Sequence, residues 1–228
     1  LLLEADDLGD FLTLGGGAVR IASSAATPTV LESVESTTLN AGASGIETFA
    51  SLGAESTLSQ DSGHGGINLG IITRNAGGTI SFGVNAAATS TPNTNGIIGG
   101  WATFGGGTWA VANAGSAITG FTGYNPDVFV ADQHTDIISA GSIAGGSAAT
   151  IRFSGAHAAE VTGTLELSMG GILVAPSVGA NTSTISAALS SATNELIIHQ
   201  NNVRGDLVLS NVAGTNTGIT TAGGGKTI

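Results

Sequence analysis

Short runs of alternating apolar and polar residues, separated by Gly, Asn or Ser, recur along most of the chain. The rhythm is tightest between residues 161 and 212, where such runs follow one another with almost nothing between them. Period-two alternation bounded by turn formers predicts β-strands. The spacing leaves no room for crossover helices, and Gly interrupts nearly every window in which a helix could form. The pattern therefore predicts an all-β chain.

A weak internal repeat indicates that these strands stack. Four segments share one five-residue pattern: a small residue, a polar residue, an apolar residue, any residue, and a second apolar residue. They are Gly78-Thr-Ile-Ser-Phe, Ala149-Thr-Ile-Arg-Phe, Gly163-Thr-Leu-Glu-Leu and Gly205-Asp-Leu-Val-Leu. In each segment the two apolar side chains are expected to point to the same face, into a core. Rungs of roughly 20 residues, each rising ~4.8 Å, would give an axis of ~50 Å. We expect a parallel, right-handed β-helix, in which the hand follows the usual crossover rule.

Three stretches can be distinguished within one continuous solenoid. Residues 1–84 would form the first rungs, and residues 149–228 the last. Residues 85–148 are looser and contain most of the aromatic residues, which predicts an irregular excursion around 85–130. Both ends of the sequence lie inside strand-like runs, so we interpret the chain as a segment of a longer polypeptide.

The composition limits the classes of function that are expected for the chain. Hydrophobic residues make up 41% of the chain, but charged residues only 9%, against roughly 25% in ordinary soluble domains. The net charge is −11, and the basic residues stand singly, so nucleic-acid binding is not expected. There is no cysteine, which excludes disulfides and thiolate chemistry. No apolar stretch approaches the ~20 residues that span a bilayer, so no membrane insertion is expected in this segment.

The ordered series of strand pairs resembles the autotransporter-associated β-strand repeat family. The segments that carry the resemblance are Gly65-Gly-Ile-Asn-Leu-Gly-Ile-Ile-Thr-Arg-Asn-Ala-Gly-Gly-Thr-Ile-Ser-Phe, Asn95-Gly-Ile-Ile-Gly-Gly-Trp-Ala-Thr-Phe-Gly, Gly170-Gly-Ile-Leu-Val, Asn194-Glu-Leu-Ile-Ile-His-Gln-Asn-Asn and Thr217-Gly-Ile-Thr-Thr-Ala-Gly-Gly-Gly-Lys-Thr-Ile. The chain departs from the family pattern at Thr221, where Lys is usual. The resemblance implies a large secreted passenger, folded as a right-handed parallel β-helix at the bacterial surface, with no catalytic residues. We also expect no cofactor.

We therefore expect an extracellular structural protein, a β-solenoid building block of a bacterial surface fibre, stalk or autotransporter-like passenger. Its expected partners are further copies stacked head to tail, or neighbouring repeats of a longer array. One alternative is an adhesin module that binds glycans or a host surface through the Trp101–Phe129 region. A second alternative is a β-helix enzyme acting on polysaccharide, since the fold permits catalysis. No catalytic residues are assigned, and the chain is not expected to be an enzyme.

Trp101, Trp109 and Tyr124 are the candidate ligand-binding residues. Exposed Trp and Tyr rings can stack on sugar rings, because they combine an apolar face with a polar group. The alternative, which we favour, is that the aromatic side chains of this region pack over the flank of the solenoid as a small satellite core.

The only acidic cluster of the middle region contains Asp127, Asp132 and Asp136, with His134 between them. Carboxylate oxygens at this spacing could bind Ca²⁺, which prefers six to eight oxygen ligands. The favoured alternative is a solvated loop, and no metal site is predicted.

The tripeptide Arg204-Gly-Asp206 is recognised by integrins when it lies on an exposed loop. Here it leads directly into the strand-like run Leu207-Val-Leu209. We therefore favour a turn at a rung corner over an adhesive role.

Overall fold

The chain folds almost entirely into β-strands. The structure is a computed structural model that describes residues 11–23, 31–50, 66–83, 87–114, 116–212 and 218–228. Within these residues the only helical element is a short 3₁₀ turn at Pro176–Val178. The predicted all-β class is therefore confirmed. Parts of the predicted first rungs, residues 1–10, 24–30 and 51–65, lie outside the described residues.

The described residues form two compact units. Unit 1 comprises those up to Ile98, together with Ala102–Gly105 and Trp109–Gly120. Unit 2 comprises Gly99–Trp101, Gly106–Thr108 and the described residues from Phe121 onward. The division falls within the segment where the sequence predicts an excursion.

Unit 1 contains twelve strands in the described part of the chain, although Thr108, the first residue of β11, belongs to unit 2. Their bounds are β1 (Phe11–Leu14), β2 (Gly17–Ser23), β3 (Leu31–Ser33), β4 (Ser36–Leu39), β5 (Gly42–Ala50), β6 (Gly66–Asn68), β7 (Ile71–Arg74), β8 (Gly78–Phe82), β9 (Ala87–Ala88), β10 (Ala102–Phe104), β11 (Thr108–Asn113) and β12 (Ser116–Gly120). The first ten pair in parallel in three sets, β1-β4-β7, β2-β5-β8-β10 and β3-β6-β9.

Each set takes every third strand in chain order, apart from the last strand β10. Successive strands of a set are offset by as few as 20 residues, from Ile67 to Ala87, and by as many as 36, from Gly42 to Gly78. Parallel partners need a long connection. Here each connection contains one strand from each of the other two sets, except the connection from β8 to β10, which contains only β9.

Antiparallel pairing interrupts this arrangement at the hairpin β11–β12. Ala110 lies opposite Gly120 across the hairpin, and Ala117 of β12 lies opposite Ala88 of β9. The hairpin thereby joins the second and third sets into one nine-stranded sheet. This irregularity falls within residues 85–130.

Unit 2 contains the remaining strands. Their bounds are β13 (Asn125–Pro126), β14 (His134–Ile137), β15 (Gly141–Ala144), β16 (Ser147–Phe153), β17 (Ala159–Thr162), β18 (Thr164–Val174), β19 (Ser183–Ile185), β20 (Ala188–Ser191), β21 (Glu195–Gln200), β22 (Leu207–Leu209) and β23 (Gly218–Ala222). All their pairings are parallel, in a seven-stranded sheet β13-β14-β16-β18-β21-β23, with β20 beside β18, and a four-stranded sheet β15-β17-β19-β22.

The strands of unit 2 also recur at a rung-like spacing. In the larger sheet the offset between paired residues is 10 at the short strand β13, between Asn125 and Thr135. Between the other strands it ranges from 16, between His134 and Thr150, to 26, between Gly171 and Ile197. The long strand β18 belongs to two stacks, because its first half pairs with β20 and its second half with β21. Mostly parallel pairing of this kind is compatible with the predicted β-helix.

The core of unit 2 is aliphatic and lies between its sheets. The repeated sequence pattern supplies much of this core. Five of its apolar residues are at most 1% exposed: Ile151, Phe153, Leu165, Leu167 and Leu207. In unit 1, Ile80 and Phe82 of the same pattern are equally buried. The prediction that the two apolar positions of each repeat point into a core is confirmed for these residues.

No helix in the described ranges is long and apolar enough to cross a membrane.

Candidate functional site

One row of side chains in unit 2 is buried although it lies on the face of the sheet opposite the core. Strand register aligns Asp136 of β14 with Arg152 of β16, Leu173 of β18 and His199 of β21. Alternation along each strand directs their neighbours, such as Ile172, to the core. Asp136, Leu173 and His199 are nevertheless at most 5% exposed.

Short segments from earlier in the chain help to bury this row. They are Gly99–Trp101, Gly106–Thr108 and Phe121–Tyr124, all of which belong to unit 2. A β-carbon added at Gly100 would lie 2.8 Å from the Met169 carbonyl oxygen. The first segment therefore approaches the backbone at β18 so closely that only glycine fits.

Hydrogen bonds from β21 and the turn after it hold two of these segments. His199 Nε2 lies 3.2 Å from the Gly100 carbonyl oxygen and donates to it. Asn201 Nδ2 donates to the Gly106 carbonyl oxygen at 2.8 Å. These side chains therefore satisfy loop carbonyl groups, as buried polar groups must.

Arg152 is the centre of the row. Its Nη2 pairs with Asp136 Oδ2, which also accepts a hydrogen bond from Ser154 Oγ at 2.9 Å. Its Nη1 donates to the Gly107 carbonyl oxygen at 3.1 Å, and its guanidinium carbon lies 3.7 Å from the centre of the Tyr124 ring. The two charged side chains are only 17% and 8% exposed. Two of their buried atoms, Asp136 Oδ1 and Arg152 Nε, have no hydrogen-bond partner.

The aromatic side chains beside Arg152 pack on one another. The Phe121 ring makes edge contacts with Tyr124 and His134, at centroid distances of 5.0 and 4.7 Å. Thr108 Oγ1 donates to the Phe121 carbonyl oxygen and lies 2.7 Å from the Tyr124 hydroxyl. This is the packing of a satellite core on the flank of a sheet, the interpretation that we favour from the sequence.

The three candidate aromatic residues therefore differ in what they offer a ligand. Trp109, in unit 1, is fully buried and presents no ring face. Tyr124, in unit 2, has its ring occupied by Arg152 and Phe121. Trp101 is partly exposed, so the glycan-binding alternative depends on this side chain.

A substitution of Trp101 tests that alternative. If the ring stacks on a sugar, Trp101→Ala should weaken glycan binding by an amount of the same order as the about 1–3 kcal/mol lost when a ring stacked on a nucleic-acid base is removed. Retention on a glycan array, compared with Trp109→Phe, which changes only a buried ring, measures the effect. Equal retention by wild type and Trp101→Ala would remove the aromatic-stacking hypothesis.

The three candidate aspartates each contact different groups of the protein and do not form one shared site. Asp127 accepts hydrogen bonds from the backbone and hydroxyl of Ser139, and Asp132 accepts one from Ser168. Asp136 is occupied by Arg152. Across the described residues, no three His, Asp or Glu side chains come close enough to hold a metal ion. The sequence cluster is therefore not a spatial cluster.

Arg152 is the residue that the sequence did not single out. The available signal was the alignment of Thr135-Asp-Ile137 with Ile151-Arg-Phe153, which places the two charges opposite each other once the strands pair in parallel.

Comparison with known proteins adds no relative: no family model, no curated protein and no solved structure matches the chain.

Proposed function

We propose that the chain is a structural β-solenoid of a bacterial cell surface or extracellular fibre. The observation that carries this proposal is the parallel, register-matched stacking of strands in both units, in which the parallel partner follows at least 16 residues later everywhere except at the short strand β13. In the proposed fold each unit is a right-handed coil with three strand stacks, and within a unit each further turn of the coil adds a rung along the axis of that unit.

The composition of the chain supports an extended structural role. Hydrophobic residues are abundant, aromatics make up only 4%, and the −11 charge lacks any basic patch. A narrow interior of stacked aliphatic side chains needs few aromatics. The absence of cysteine and the resemblance to autotransporter-associated repeats support an exported bacterial protein.

The contacts of the charged row support structure over catalysis. Arg152, Asp136 and His199 are all engaged by neighbouring groups of the same chain. A polysaccharide-acting enzyme would need such groups accessible to substrate. The enzyme alternative stays a prediction without a supporting observation.

Assembly is proposed to occur by addition of rungs, either from another copy stacked head to tail or from neighbouring repeats. Strand edges promote such pairing unless they are protected by Lys, Pro or bulges. Among the described residues, β23 pairs only with β21 and carries Ile219 53% exposed. Its segment Gly218–Ala222 contains no charged residue.

Electron microscopy of the purified chain tests this assembly. We expect filaments longer than one chain in negative stain, and fewer of them for Ile219→Lys, because a charge on an edge strand opposes pairing. Val203→Lys is the matched control, since Val203 is 72% exposed and lies outside a strand. Filaments unaffected by Ile219→Lys would exclude this edge, and dispersed particles at all concentrations would contradict head-to-tail assembly. Immunogold labelling of intact cells tests the surface location.

A further inference from the structure

We propose that the loop Val203–Asp206 of unit 2 is an adhesion site for a protein receptor of the integrin type. Such a receptor recognises an arginine and an aspartate on one tight turn, and the aspartate carboxylate completes the coordination of a divalent cation bound by the receptor. This inference does not depend on the proposed structural function.

The loop is exposed at a corner between two buried strands. It connects β21 to β22, whose Ile198 and Leu207 lie in the core of unit 2. Val203 is 72% exposed, and Arg204 is also exposed. One short loop therefore presents an apolar, a cationic and an anionic side chain, those of Val203, Arg204 and Asp206.

The first half of the loop is held by a buried asparagine. Asn202 is 1% exposed, and its Oδ1 accepts a hydrogen bond from the Arg204 backbone N–H at 3.2 Å. Its Nδ2 donates to the Gly179 carbonyl oxygen at 2.7 Å. Arg204 is therefore displayed from a backbone position that the interior of unit 2 fixes.

Hydrogen bonds to the carbonyl oxygens of Gly205 and Asp206 hold the second half of the loop. The Gly205 carbonyl oxygen accepts a hydrogen bond from Gln200 Nε2 at 3.1 Å, and the Asp206 carbonyl oxygen accepts one from the Ser183 N–H at 3.0 Å. A β-carbon at Gly205 would lie 2.0 Å from the Asn181 carbonyl oxygen, so only glycine fits between the two charged residues. A loop ordered before binding loses less conformational entropy when a receptor engages it.

The Asp206 carboxylate is available to a receptor. Its partner in unit 2 is Lys226 Nζ at 3.8 Å, and these side chains are 41% and 69% exposed. An exposed ion pair of this kind contributes at most about 1 kcal/mol and is screened by salt. A receptor-bound divalent cation, which prefers hard carboxylate oxygen ligands, can therefore replace Lys226.

Arg204 supplies the second half of the recognition. Its planar guanidinium can make two parallel hydrogen bonds to a receptor carboxylate, a geometry that lysine cannot reproduce. The Asp206 carboxylate would make binding depend on the divalent cation of the receptor. The Arg204 guanidinium would fix the orientation of the loop on the receptor.

Binding of the whole chain to an immobilised, purified integrin ectodomain that recognises Arg-Gly-Asp tests the proposal. We expect saturable binding in Mn²⁺ that is lost in EDTA. Asp206→Glu, which keeps the charge but moves the carboxylate by one methylene, should weaken binding by about tenfold or more. Asp132→Glu makes the same change at an exposed aspartate outside the loop and should bind like wild type.

Three outcomes would overturn the proposal: no binding above background, equal binding by wild type and Asp206→Glu, or binding that persists in EDTA. The unfolding midpoint of Asp206→Glu should match that of wild type, which separates a lost contact from a lost fold. Filament formation by the same preparations is a separate readout, so failure of adhesion and failure of the proposed structural function are distinguishable.

Discussion

Replacing Arg152 with methionine is expected to destabilise unit 2 by about 3–5 kcal/mol, because it leaves the Asp136 carboxylate buried without its cation. Asp136 would retain the hydrogen bond from Ser154, which does not neutralise its charge. The Gly107 carbonyl oxygen would lose its donor, and the Tyr124 ring its stacked guanidinium. The loss therefore affects the row and the segments that cover it.

The ion pair of Arg20 in unit 1 provides the matched control for Arg152→Met. Arg20 Nε pairs with Glu47 Oε2 at 3.2 Å, but the two side chains are 58% and 48% exposed. Because exposed pairs contribute about 0–1 kcal/mol, Arg20→Met should leave the unfolding free energy nearly unchanged. The same chemical change is thus compared at a buried and an exposed pair.

A second variant separates the ion pair from general packing. The double change Arg152→Met with Asp136→Leu removes both charges, and buried pairs replaced by apolar residues are often neutral in stability. It should recover more than half of the loss caused by Arg152→Met. Guanidinium unfolding followed by circular dichroism measures all four proteins. A cost of Arg152→Met no larger than that of Arg20→Met would show that the guanidinium is solvated.

The sequence predicted the strands well where alternation was regular. In Gly78–Phe82 of unit 1 the inward residues Ile80 and Phe82 are large and apolar, and their neighbours Thr79 and Ser81 are polar. Phe11–Leu14 in unit 1 and Glu195–Gln200 in unit 2 also bury alternate aliphatic residues, although Phe11 and Ile197 add an apolar side chain at an outward position. A period of two has few other structural solutions when the apolar side chains must be buried on one face.

The charged row could not be predicted to the same degree, because it depends on the pairing register. Asp136 and Arg152 are 16 residues apart, whereas other partners in the same sheet are as many as 26 apart. If every rung had the same length, the pairing of Asp136 with Arg152 could be read from the sequence. Because the rung lengths vary, it could not. Burial of the row also requires segments such as Gly106–Thr108, which precede the strands they cover and carry no regular pattern.

The aromatic region shows why composition alone was ambiguous. Trp109 and Tyr124 share the same chemical character, but one is fully buried in unit 1 and the other contacts Arg152 in unit 2. Ring type predicts the capacity to stack, whereas exposure depends on which chain segments lie nearby.

Close backbone stacking in unit 1 leads to the second large expected effect, that of Gly70→Ala. Gly70 has φ +57°, and a β-carbon there would lie 2.0 Å from the Glu35 carbonyl oxygen. These two residues precede Ile71 of β7 and Ser36 of β4, which pair in parallel. The backbone before one strand therefore rests directly on the backbone before its neighbour.

Gly105 offers an almost identical conformation without the contact. Its φ is +58°, and an added β-carbon would meet nothing within 4 Å. Gly105→Ala should thus cost only the left-handed conformation, about 1–2 kcal/mol. Gly70→Ala adds the displacement of Glu35, and overpacking of this kind costs roughly 1–3 kcal/mol or more. We expect a total of about 3 kcal/mol or more for Gly70→Ala.

Unfolding midpoints of the two variants, measured side by side in guanidinium, decide whether the strands of unit 1 stack at backbone contact. Since the φ cost is common to both, their difference reports the contact between Gly70 and Glu35. Equal midpoints would mean that the turn before β7 can move away from the turn before β4 at no cost. A selective loss at Gly70 would show that the spacing between successive strands is set by the backbone itself, which is the property that a rung-by-rung structural protein requires.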